Sequence, residues 1–316
     1  IMKTVEVVVP CYNEEAMLNM FYVESEKIYK TIDGYSFSYI FVNDGSRDKT
    51  YPILKDLAGK HDNVKFISFS RNFGKEAAMY AGLCNTTADY VIVMDADLQH
   101  PPALVPEMIK QIEAGYDCCA ALRTSRKGES KIKSFFSRMF YKFSNRFTDV
   151  QLVQNAVDFR IMSRQMVDNI VKLSEVQRFS KGIFEWVGFE TSWIPYENVE
   201  RIAGETKWSF FKLFKYSLDG IVNFSQAPLS IASVSGLILT AIAFFMILFV
   251  VIRRLIFGDP VAGWASTVCI ILFIGGVQLL CMGIMGQYLA KTYLEVKNRP
   301  HFIISETNDK DAKRIG

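Results

Sequence analysis

The chain has few cysteines and few histidines, and neither set is spaced to hold a metal. It contains six cysteines and three histidines in 316 residues. The cysteines form no C-x-x-C pair, and none has a histidine at ligand spacing. We therefore expect reduced cysteines in the core or the membrane of a protein that faces the cytosol. The net charge is only +3, which argues against nucleic acid as a partner.

Two familiar signals are also missing near the N-terminus. The first apolar run, residues 5–9, is not followed by a G-x-G-x-x-G loop, which counts against a dinucleotide dehydrogenase. We expect no signal peptide, because a strand pattern begins almost at once. At the other end, the polar tail from Ser305 is expected to be frayed.

Strand-length apolar runs alternate with helical patterns in the first part of the chain. They cover residues 5–9, 38–42, 64–69, 90–94 and 118–122. This alternation predicts a doubly wound, mostly parallel α/β sheet. Each run ends in a polar cluster, so these clusters share the carboxyl edge of the sheet, where open α/β sheets bind ligands.

The polar cluster after the fourth run has the clearest chemistry. Asp95 and Asp97 lie one residue apart, Gln99 follows, and Pro101-Pro102 suits the first turn of a helix. An Asp-x-Asp triplet alone is weak, since turns are rich in acids, but a buried strand before it strengthens the signal. Mg²⁺ is usually held by one or two carboxylates together with substrate phosphates. The cluster therefore predicts a metal–diphosphate site.

The clusters after the other runs suit the rest of a nucleotide. The loop at residues 10–14 and Asp44 offer hydrogen-bonding groups for a nucleobase and a ribose, although the same residue types also serve as helix caps and turns. Gly74-Lys75 opens a helix whose free N–H groups, with the lysine, favour a diphosphate. Asp158 and Arg160 are compatible with an internal ion pair or with a position in the site.

Two long uncharged runs, residues 229–252 and 264–289, occupy the last third of the chain. At about 1.5 Å per residue, each covers a hydrocarbon layer of roughly 30 Å. Lysine and arginine are denser outside the pair than between the runs, although Arg253-Arg254 weakens this bias. The positive-inside rule then predicts a multi-pass protein of the cytoplasmic membrane, with its catalytic domain and C-terminus in the cytoplasm.

Two basic and aromatic stretches flank the catalytic region. Residues 132–147 read either as an ordinary amphipathic helix or as an interfacial membrane helix, and the uncharged runs favour the membrane helix. Residues 200–208 form a polar loop suited to closing over a bound phosphate. We expect a catalytic domain at 2–206, a juxtamembrane amphipathic helix at 207–228, two transmembrane helices within 229–289, and a cytoplasmic tail at 290–316.

These motifs together resemble the family 2 glycosyltransferases that charge a polyprenyl phosphate. The resemblance is to bacterial undecaprenyl-phosphate glucosyltransferases and, more distantly, to dolichyl-phosphate mannose synthase, and it runs from Val5 to about Arg299. Its motifs are V-P-C-Y-N-E-E, V-N-D-G-S-R-D, S-R-N-F-G-K, D-A-D-L-Q-H-P-P, D-F-R and R-I-A-G-E-T-K-W. It implies a glycosyltransferase-A fold that uses a nucleotide sugar with Mg²⁺ or Mn²⁺.

The resemblance also implies a role for individual residues of this chain. The nucleotide sugar would be bound by Pro10, Tyr12, Asn13, Glu14, Asp44, Lys75 and Asp95. The metal would be held by Asp95, Asp97 and Gln99. The lipid phosphate would be bound by Arg123, Ser137, Arg138, Arg201 and Lys207. The catalytic residues would be Asp97, Asp158 and Arg160, although this chain has Val157 where the family usually has glycine.

The implied reaction is inverting transfer of a hexose, with glucose favoured, from a UDP-sugar to undecaprenyl phosphate for cell-envelope glycans. N-acetylglucosamine and galactose remain alternative sugars. A processive polysaccharide synthase and an inactive membrane scaffold are alternative functions, but the chain lacks Q-x-x-R-W and keeps its acidic motif. A lipid monophosphate is largely ionised at neutral pH, so we expect Asp158 to orient groups more than to remove a proton. The resemblance also implies a homo-oligomer, with a tetramer as one form.

Overall fold

The computed structural model describes residues 2–124, 151, 153–197, 227–257 and 263–313. Its strands are β1 (Lys3–Cys11), β2 (Tyr35–Asn43), β3 (Val64–Phe69), β4 (Tyr90–Val93), β5 (Cys118–Arg123), β6 (Ala156–Ser163), β7 (Thr191–Tyr196) and β8 (Ile304–Thr307). Its α-helices are α1 (Leu18–Tyr29), α2 (Thr50–Lys60), α3 (Lys75–Cys84), α4 (Val105–Glu113), α5 (Arg164–Lys172), α6 (Ser180–Trp186), α7 (Ala227–Phe257) and α8 (Trp264–Lys297). A 3₁₀ turn, Pro102–Leu104, leads into α4.

The strands form one mixed sheet in the order β7-β5-β6-β4-β1-β2-β3-β8. The strands β4, β1, β2 and β3 run parallel, as do β5 and β7. The strand β6 is antiparallel to both of its neighbours, and β8 is antiparallel to β3. The predicted, mostly parallel α/β sheet is therefore confirmed, and all five predicted strands belong to it.

Alternating side chains of the central strand β1 explain why helices cover both faces of the sheet. Val7 and Val9 pack in a cluster with Leu18 of α1. Val8 points to the opposite face, where it packs with Met79 of α3. A parallel strand that is apolar on both sides needs cover on both sides. The predicted buried cysteines are also found, since Cys11, Cys118 and Cys119 are free and buried.

Three strands, β6, β7 and β8, were not predicted. The strand β6 inserts between β4 and β5 and runs antiparallel to them, so its first residues lie at the carboxyl edge of those strands. The register pairs Val93 with Arg160. Continued by two residues, that register brings Asp158 level with Asp95. The inserted strand thus brings the Asp158 carboxylate to the predicted metal–diphosphate site.

The helices α7 and α8 match the two uncharged runs. Candidate membrane spans within them are Leu229–Met246, in which 6% of the residues are buried, and Phe273–Lys297, in which 0% are buried. By length and composition each helix is able to cross a bilayer. Apolar side chains such as Leu237 and Leu279 are more than two-thirds exposed, at 72% and 71%, as expected for surfaces that face lipid.

The expectation of a frayed tail from Ser305 is wrong. The tail forms β8, which pairs with β3 at the edge of the sheet. Just before β8, Phe302 is completely buried. An edge strand such as β3 offers backbone groups for pairing. The short polar tail pairs with these groups, and its own sequence contains no strand pattern.

Candidate active site

The acidic segment after β4 presents its oxygen-bearing side chains on one side. Asp95, Asp97 and Gln99 are partly exposed, whereas Ala96 and Leu98 between them are buried. The backbone N–H of Gln99 donates to Asp97 Oδ1 at 3.2 Å. The three predicted metal ligands therefore lie in one short, partly exposed segment at the carboxyl edge of the sheet, and their binding of a metal stays a prediction.

Lys75 joins this segment to the inserted strand β6. It is the first residue of α3, preceded by Gly74, whose φ of 102° favours glycine. Its Nζ lies 2.8 Å from a carboxylate oxygen of Asp95 and 2.7 Å from Oδ2 of Asp158. The Lys75 side chain is 39% exposed and that of Asp158 is 17% exposed. Lys75, Asp95 and Asp158 therefore form one ionic cluster that faces a cleft.

The charges of this cluster are mutually reinforcing. Burial alone would raise the pKa of Asp158, but the ammonium groups of Lys75 and Lys181 lower that pKa well below its ordinary value. Burial would lower the pKa of Lys75, but Asp158 and Asp95 raise it above its ordinary value. Lys181, in α6, donates to the carbonyl of Ala156 at 3.1 Å. Asp158 is therefore an ionised anchor at neutral pH.

Arg160 lies beneath the cluster and not on its surface. The side chain is 1% exposed, and its guanidinium carbon lies 3.8 Å from the ring centroid of Phe184. Its Nη2 donates to the carbonyl of Val157 at 3.3 Å. Of the two possibilities that the sequence left open, Asp158 faces the site and pairs with Lys75, whereas Arg160 supports it from the core. A catalytic role for Arg160 stays a prediction.

The loop after β1 is tied to the loop after β2. Asn13, with φ of 54°, accepts a bond from Arg47 N–H at 2.9 Å, and its own N–H donates to Ser46 at 2.9 Å. The N–H of Glu14 donates to Thr50 Oγ1 at 2.8 Å. The predicted nucleotide loop, from Pro10 to Glu14, is thus hydrogen-bonded to the segment that follows β2.

A cavity of about 480 Å³ opens between these loops and the end of β3. Its wall includes Tyr12, Gly45, Arg47, Arg71, Asn72 and Ser305. The Arg71 guanidinium stacks over the ring of Phe73, with 4.0 Å from its carbon to the ring centroid. Arg47 and Arg71 were not predicted as site residues, although both lie inside the quoted motifs. A motif does not show which of its side chains line a cavity.

Asp44 lies behind this cavity. It is 3% exposed, and its carboxylate accepts bonds from the backbone N–H groups of Phe73 at 2.6 Å and Gly74 at 2.9 Å. Burial raises the pKa of Asp44 to about 6, although these two bonds and Arg71 lower it. Asp44 therefore shapes the loop that leads to Lys75. Its predicted contact with the nucleoside stays a prediction.

His100 directly follows the acidic segment and packs against two aromatic rings. His100 is buried, stacks on Phe159 with ring centroids 5.6 Å apart, and packs edge-on to Tyr196 at 6.0 Å. Burial lowers the pKa of His100, so the imidazole is neutral at physiological pH.

Arg123 ends β5, and its buried Nε has no hydrogen-bond acceptor within the described ranges. Of the predicted lipid-phosphate residues, Arg123 is therefore at this edge.

The other predicted lipid-phosphate residues lie outside the described residues. They are Ser137, Arg138, Arg201 and Lys207. The amphipathic stretch at 132–147 and the polar loop at 200–208 also lie outside them, as does most of the expected juxtamembrane helix.

Comparisons with known proteins place this chain in a family. Residues 6–171 match the profile of "Glycosyl transferase family 2". The protein CsbB of Bacillus subtilis (strain 168) is 45% identical over 304 residues, which cover 96% of this chain and 92% of that protein. The "SfII prophage-derived bactoprenol glucosyl transferase" of Shigella flexneri is 40% identical over 304 residues, covering 96% of this chain and 98% of that protein.

Solved structures that align with this chain are more distant. Glucosyl-3-phosphoglycerate synthase from Mycobacterium tuberculosis aligns with a TM-score of 0.46 and 18% identity, covering 70% of this chain and 78% of that one. The mannosyltransferase PcManGT from Pyrobaculum calidifontis, in complex with GDP-Man and Mn²⁺, aligns with a TM-score of 0.46 and 14% identity, covering 92% and 88%. On the profile match and the near full-length relatives, the chain belongs to glycosyl transferase family 2 and is a transferase, and its mixed α/β sheet is compatible with the glycosyltransferase-A fold that the resemblance implies.

Proposed function

We propose that this protein transfers glucose from UDP-glucose to a polyprenyl phosphate at the cytoplasmic face of the membrane, with inversion at the anomeric carbon. The observation that carries the proposal is the 40% identity, over 304 residues, with a protein named as a bactoprenol glucosyl transferase. That match covers 98% of the relative, so it includes the catalytic sheet and both apolar helices. The site geometry supports the same chemistry.

The acidic segment suits a divalent cation shared with the donor. Within the described ranges no three His, Cys, Asp or Glu residues converge into a complete metal cage. Two carboxylates, from Asp95 and Asp97, with the amide oxygen of Gln99, leave coordination positions for water and for a diphosphate, as Mg²⁺ or Mn²⁺ sites of this kind require. When bound, the cation would neutralise charge on the departing diphosphate.

The cavity between the loops after β1 and β2 and the end of β3 suits the nucleoside. Its volume of about 480 Å³ lies in the range of small-molecule sites, roughly 300–1,000 Å³. Tyr12 offers an aromatic face, and Arg47 and Arg71 offer charged donors for carbonyl and phosphate oxygens. Uridine is the proposed nucleoside because the relatives are named as glucosyl transferases.

The proposed reaction needs positioning more than proton transfer. An oxygen of the lipid phosphate attacks the anomeric carbon, the bond from that carbon to the diphosphate oxygen breaks, and UDP leaves with the electron pair. Attack from the opposite face converts an α-linked donor into a β-linked product. The nucleophile is already ionised at neutral pH. Asp158, held between Lys75 and Lys181, therefore fixes charge and geometry in the site.

The helical pair supports a membrane-bound acceptor. The chain after α8 returns to β3, so the end of α8 and the catalytic sheet lie on the same side. Two crossings by α7 and α8 satisfy that geometry, and the basic residues outside the pair support a cytoplasmic location for this side. Arg123 would bind the lipid phosphate together with Ser137, Arg138, Arg201 and Lys207. A homo-oligomer, with a tetramer as one form, belongs to the same proposal.

One experiment tests the proposal and its alternatives. The purified full chain is incubated with undecaprenyl phosphate, Mg²⁺ or Mn²⁺, and radiolabelled UDP-glucose, UDP-N-acetylglucosamine or UDP-galactose. We expect a chloroform-soluble, metal-dependent product with UDP-glucose. A preference for another sugar would correct the donor, a water-soluble polymer would indicate a processive synthase, and no transfer from any donor would indicate a scaffold.

The matched variants test the metal site itself. Asp95→Ala combined with Asp97→Ala should abolish lipid glycosylation. Asp89→Asn is the control, since Asp89 precedes the opposite end of β4, where it accepts bonds from Thr4. Unchanged glycosylation in the double variant would overturn the proposed mechanism.

A further inference from the structure

The segment after the second apolar helix returns to the catalytic sheet. The helix α8 ends at Lys297, and Asn298 turns the chain with a left-handed φ of 45°. Phe302 then stacks on Phe69 of β3, with ring centroids 5.3 Å apart. The membrane helix is therefore joined to β8 by a short connection that is anchored in the core of the sheet.

Two hydrogen bonds from this segment lie at the carboxyl end of β3, next to the cavity. The N–H of Ser70 donates to the carbonyl of Ile303 at 3.0 Å. The hydroxyl of Ser305 donates to the carbonyl of Ser68 at 2.9 Å. Ser68, Ser70 and Ser305 all line the cavity. The C-terminal segment thus supplies part of one wall and holds the backbone of another.

The backbone that these bonds hold continues into the residues that surround the donor site. Arg71 and Asn72 follow Ser70 and line the same cavity. Asn72 also donates to the carbonyl of Asp44 at 3.1 Å. The next two N–H groups bind the Asp44 carboxylate, and Lys75 begins α3 immediately after them. A shift at Ser70 would therefore move both the cavity wall and the ionic cluster.

We propose that β8 is a positioning element of the donor site. Ser305 and Ile303 hold the 68–72 backbone in the conformation that binds the nucleoside diphosphate, and the continuity of β8 with α8 ties that site to the membrane helix. The inference rests on the proposed nucleotide-sugar donor. If β8 only covered the edge of β3, it would still pair with that strand. Loss of a hydrogen bond at either end of β3 would then have the same effect on donor binding.

Asn308 provides the matched control at the other end of β3. Its Oδ1 accepts from the N–H of Phe66 at 2.8 Å, and its Nδ2 donates to the carbonyl of Val64 at 3.1 Å. Asn308 therefore ties the same segment to the same strand through two side-chain bonds, while Ser305 makes one at the cavity. Asn308→Ala should cost at least as much stability as Ser305→Ala.

The test measures the KM for UDP-sugar, the KM for undecaprenyl phosphate, the Kd of UDP with Mn²⁺, and the Tm of each full-length variant. Ser305→Ala should raise the donor KM and the UDP Kd about three- to tenfold, the equivalent of one hydrogen bond. Ser305→Phe, which adds a ring at the cavity wall, should raise them further. Asn308→Ala should lower Tm but keep both donor constants within about twofold, and the lipid KM should stay constant throughout.

Two results would overturn the inference: unchanged donor constants in Ser305→Ala, or an equal rise in Asn308→Ala, which would indicate general loosening of the sheet. If Ser305→Phe does not fold, Ser305→Ala decides. A wild-type protein that transfers no sugar from any UDP-sugar defeats the proposed function instead, and comparison of UDP and GDP binding across the same variants still tests the role of β8.

Discussion

The ammonium of Lys75 lies 2.7 Å from the carboxylate of Asp158, a contact between residues 83 positions apart in the chain. It joins the first turn of α3 to the antiparallel strand β6. The same ammonium binds Asp95, so one lysine holds two carboxylates that would otherwise repel each other across the site. The direct pairing of both carboxylates therefore depends on a single side chain.

Lys75→Met should therefore lower both turnover and stability. Loss of one partner of a buried pair costs about 3–5 kcal/mol, but Lys75 is 39% exposed, so we expect about 1–3 kcal/mol. Turnover should fall at least about 100-fold as the carboxylates move apart. Denaturant unfolding and glycosylation assays measure the two effects.

Lys60→Met is the control for Lys75→Met. Lys60 pairs with Asp56 on the surface of α2, and both side chains are more than half exposed. Such pairs contribute little, so stability and turnover should stay close to those of the wild type. Equal effects of the two lysine substitutions would contradict the role given to the cluster.

Asp158→Asn should reduce turnover about 100-fold, and raising the pH should not restore it. The carboxylate is ionised in the native protein because Lys75 and Lys181 outweigh its burial and lower its pKa. It acts as a fixed charge, so a more basic solution does not replace it. The measurement is kcat for lipid glycosylation from pH 6 to 9, with Asp168→Asn, an exposed partner of Arg164, as the control. Full recovery at high pH would show that Asp158 removes a proton.

Asp44 should impose a pH dependence on stability. Burial raises its pKa from 3.8 to about 6, so the native state favours the protonated carboxyl. Its contribution to stability is therefore complete below about pH 4 and is lost as the pH rises through about 6. The change corresponds to about 3 kcal/mol for a shift of this size. Free energies of unfolding of the wild type and Asp44→Asn, measured from pH 4 to 8, should diverge through this window.

Asp48→Asn is the control of opposite sign. Hydrogen bonds, chiefly from Thr50, lower the pKa of Asp48 against its burial, so its contribution is present at neutral pH and is lost only in acid. The Asp48→Asn and wild-type curves should run parallel above pH 5. Parallel curves for Asp44→Asn across the whole range would refute the assignment of the titration to Asp44.

Gly45→Ala should weaken both stability and donor binding. Gly45 has φ of 61°, and an added Cβ would lie 2.4 Å from the backbone carbonyl carbon of Arg71. The left-handed conformation alone costs about 1–2 kcal/mol, and relief of the clash would shift a wall of the cavity. We expect a lower Tm and a higher donor KM. Gly59→Ala, in α2 with nothing within 4 Å, should be neutral or stabilising by up to about 1 kcal/mol.

Local sequence signals predicted the parts of the fold that local physics dominates. The five apolar runs became strands because each is buried on both faces, as Val7, Val8 and Val9 illustrate. The carboxyl ends of the parallel strands meet at one edge, so the positions of Asp44 and of the Asp95–Gln99 segment followed from strand direction alone. The two long uncharged runs became helices for a similarly local reason.

Long-range contacts determine the features that were not predicted or were predicted wrongly. The strand β6 contains Asp158 and Arg160, and these charged residues hid the apolar pattern of a central strand. The buried Arg160 side chain stacks on Phe184. The tail from Ser305 is polar and short, and it becomes β8 only because β3 offers an open edge. Arg47 and Arg71 line the cavity through loop packing that no motif records.

The amino-acid sequence by itself thus determined the strand–helix alternation, the acidic segment, the apolar helices and the family, because these depend on hydrophobic period and on residue type. Only the tertiary structure decided that Lys75 binds Asp95 and Asp158 and that β8 reaches the donor cavity. Contacts across 83 residues for Lys75–Asp158 and 237 residues for Ser305–Ser68 arise from chain topology, which brings together groups whose local sequences contain no sign of each other.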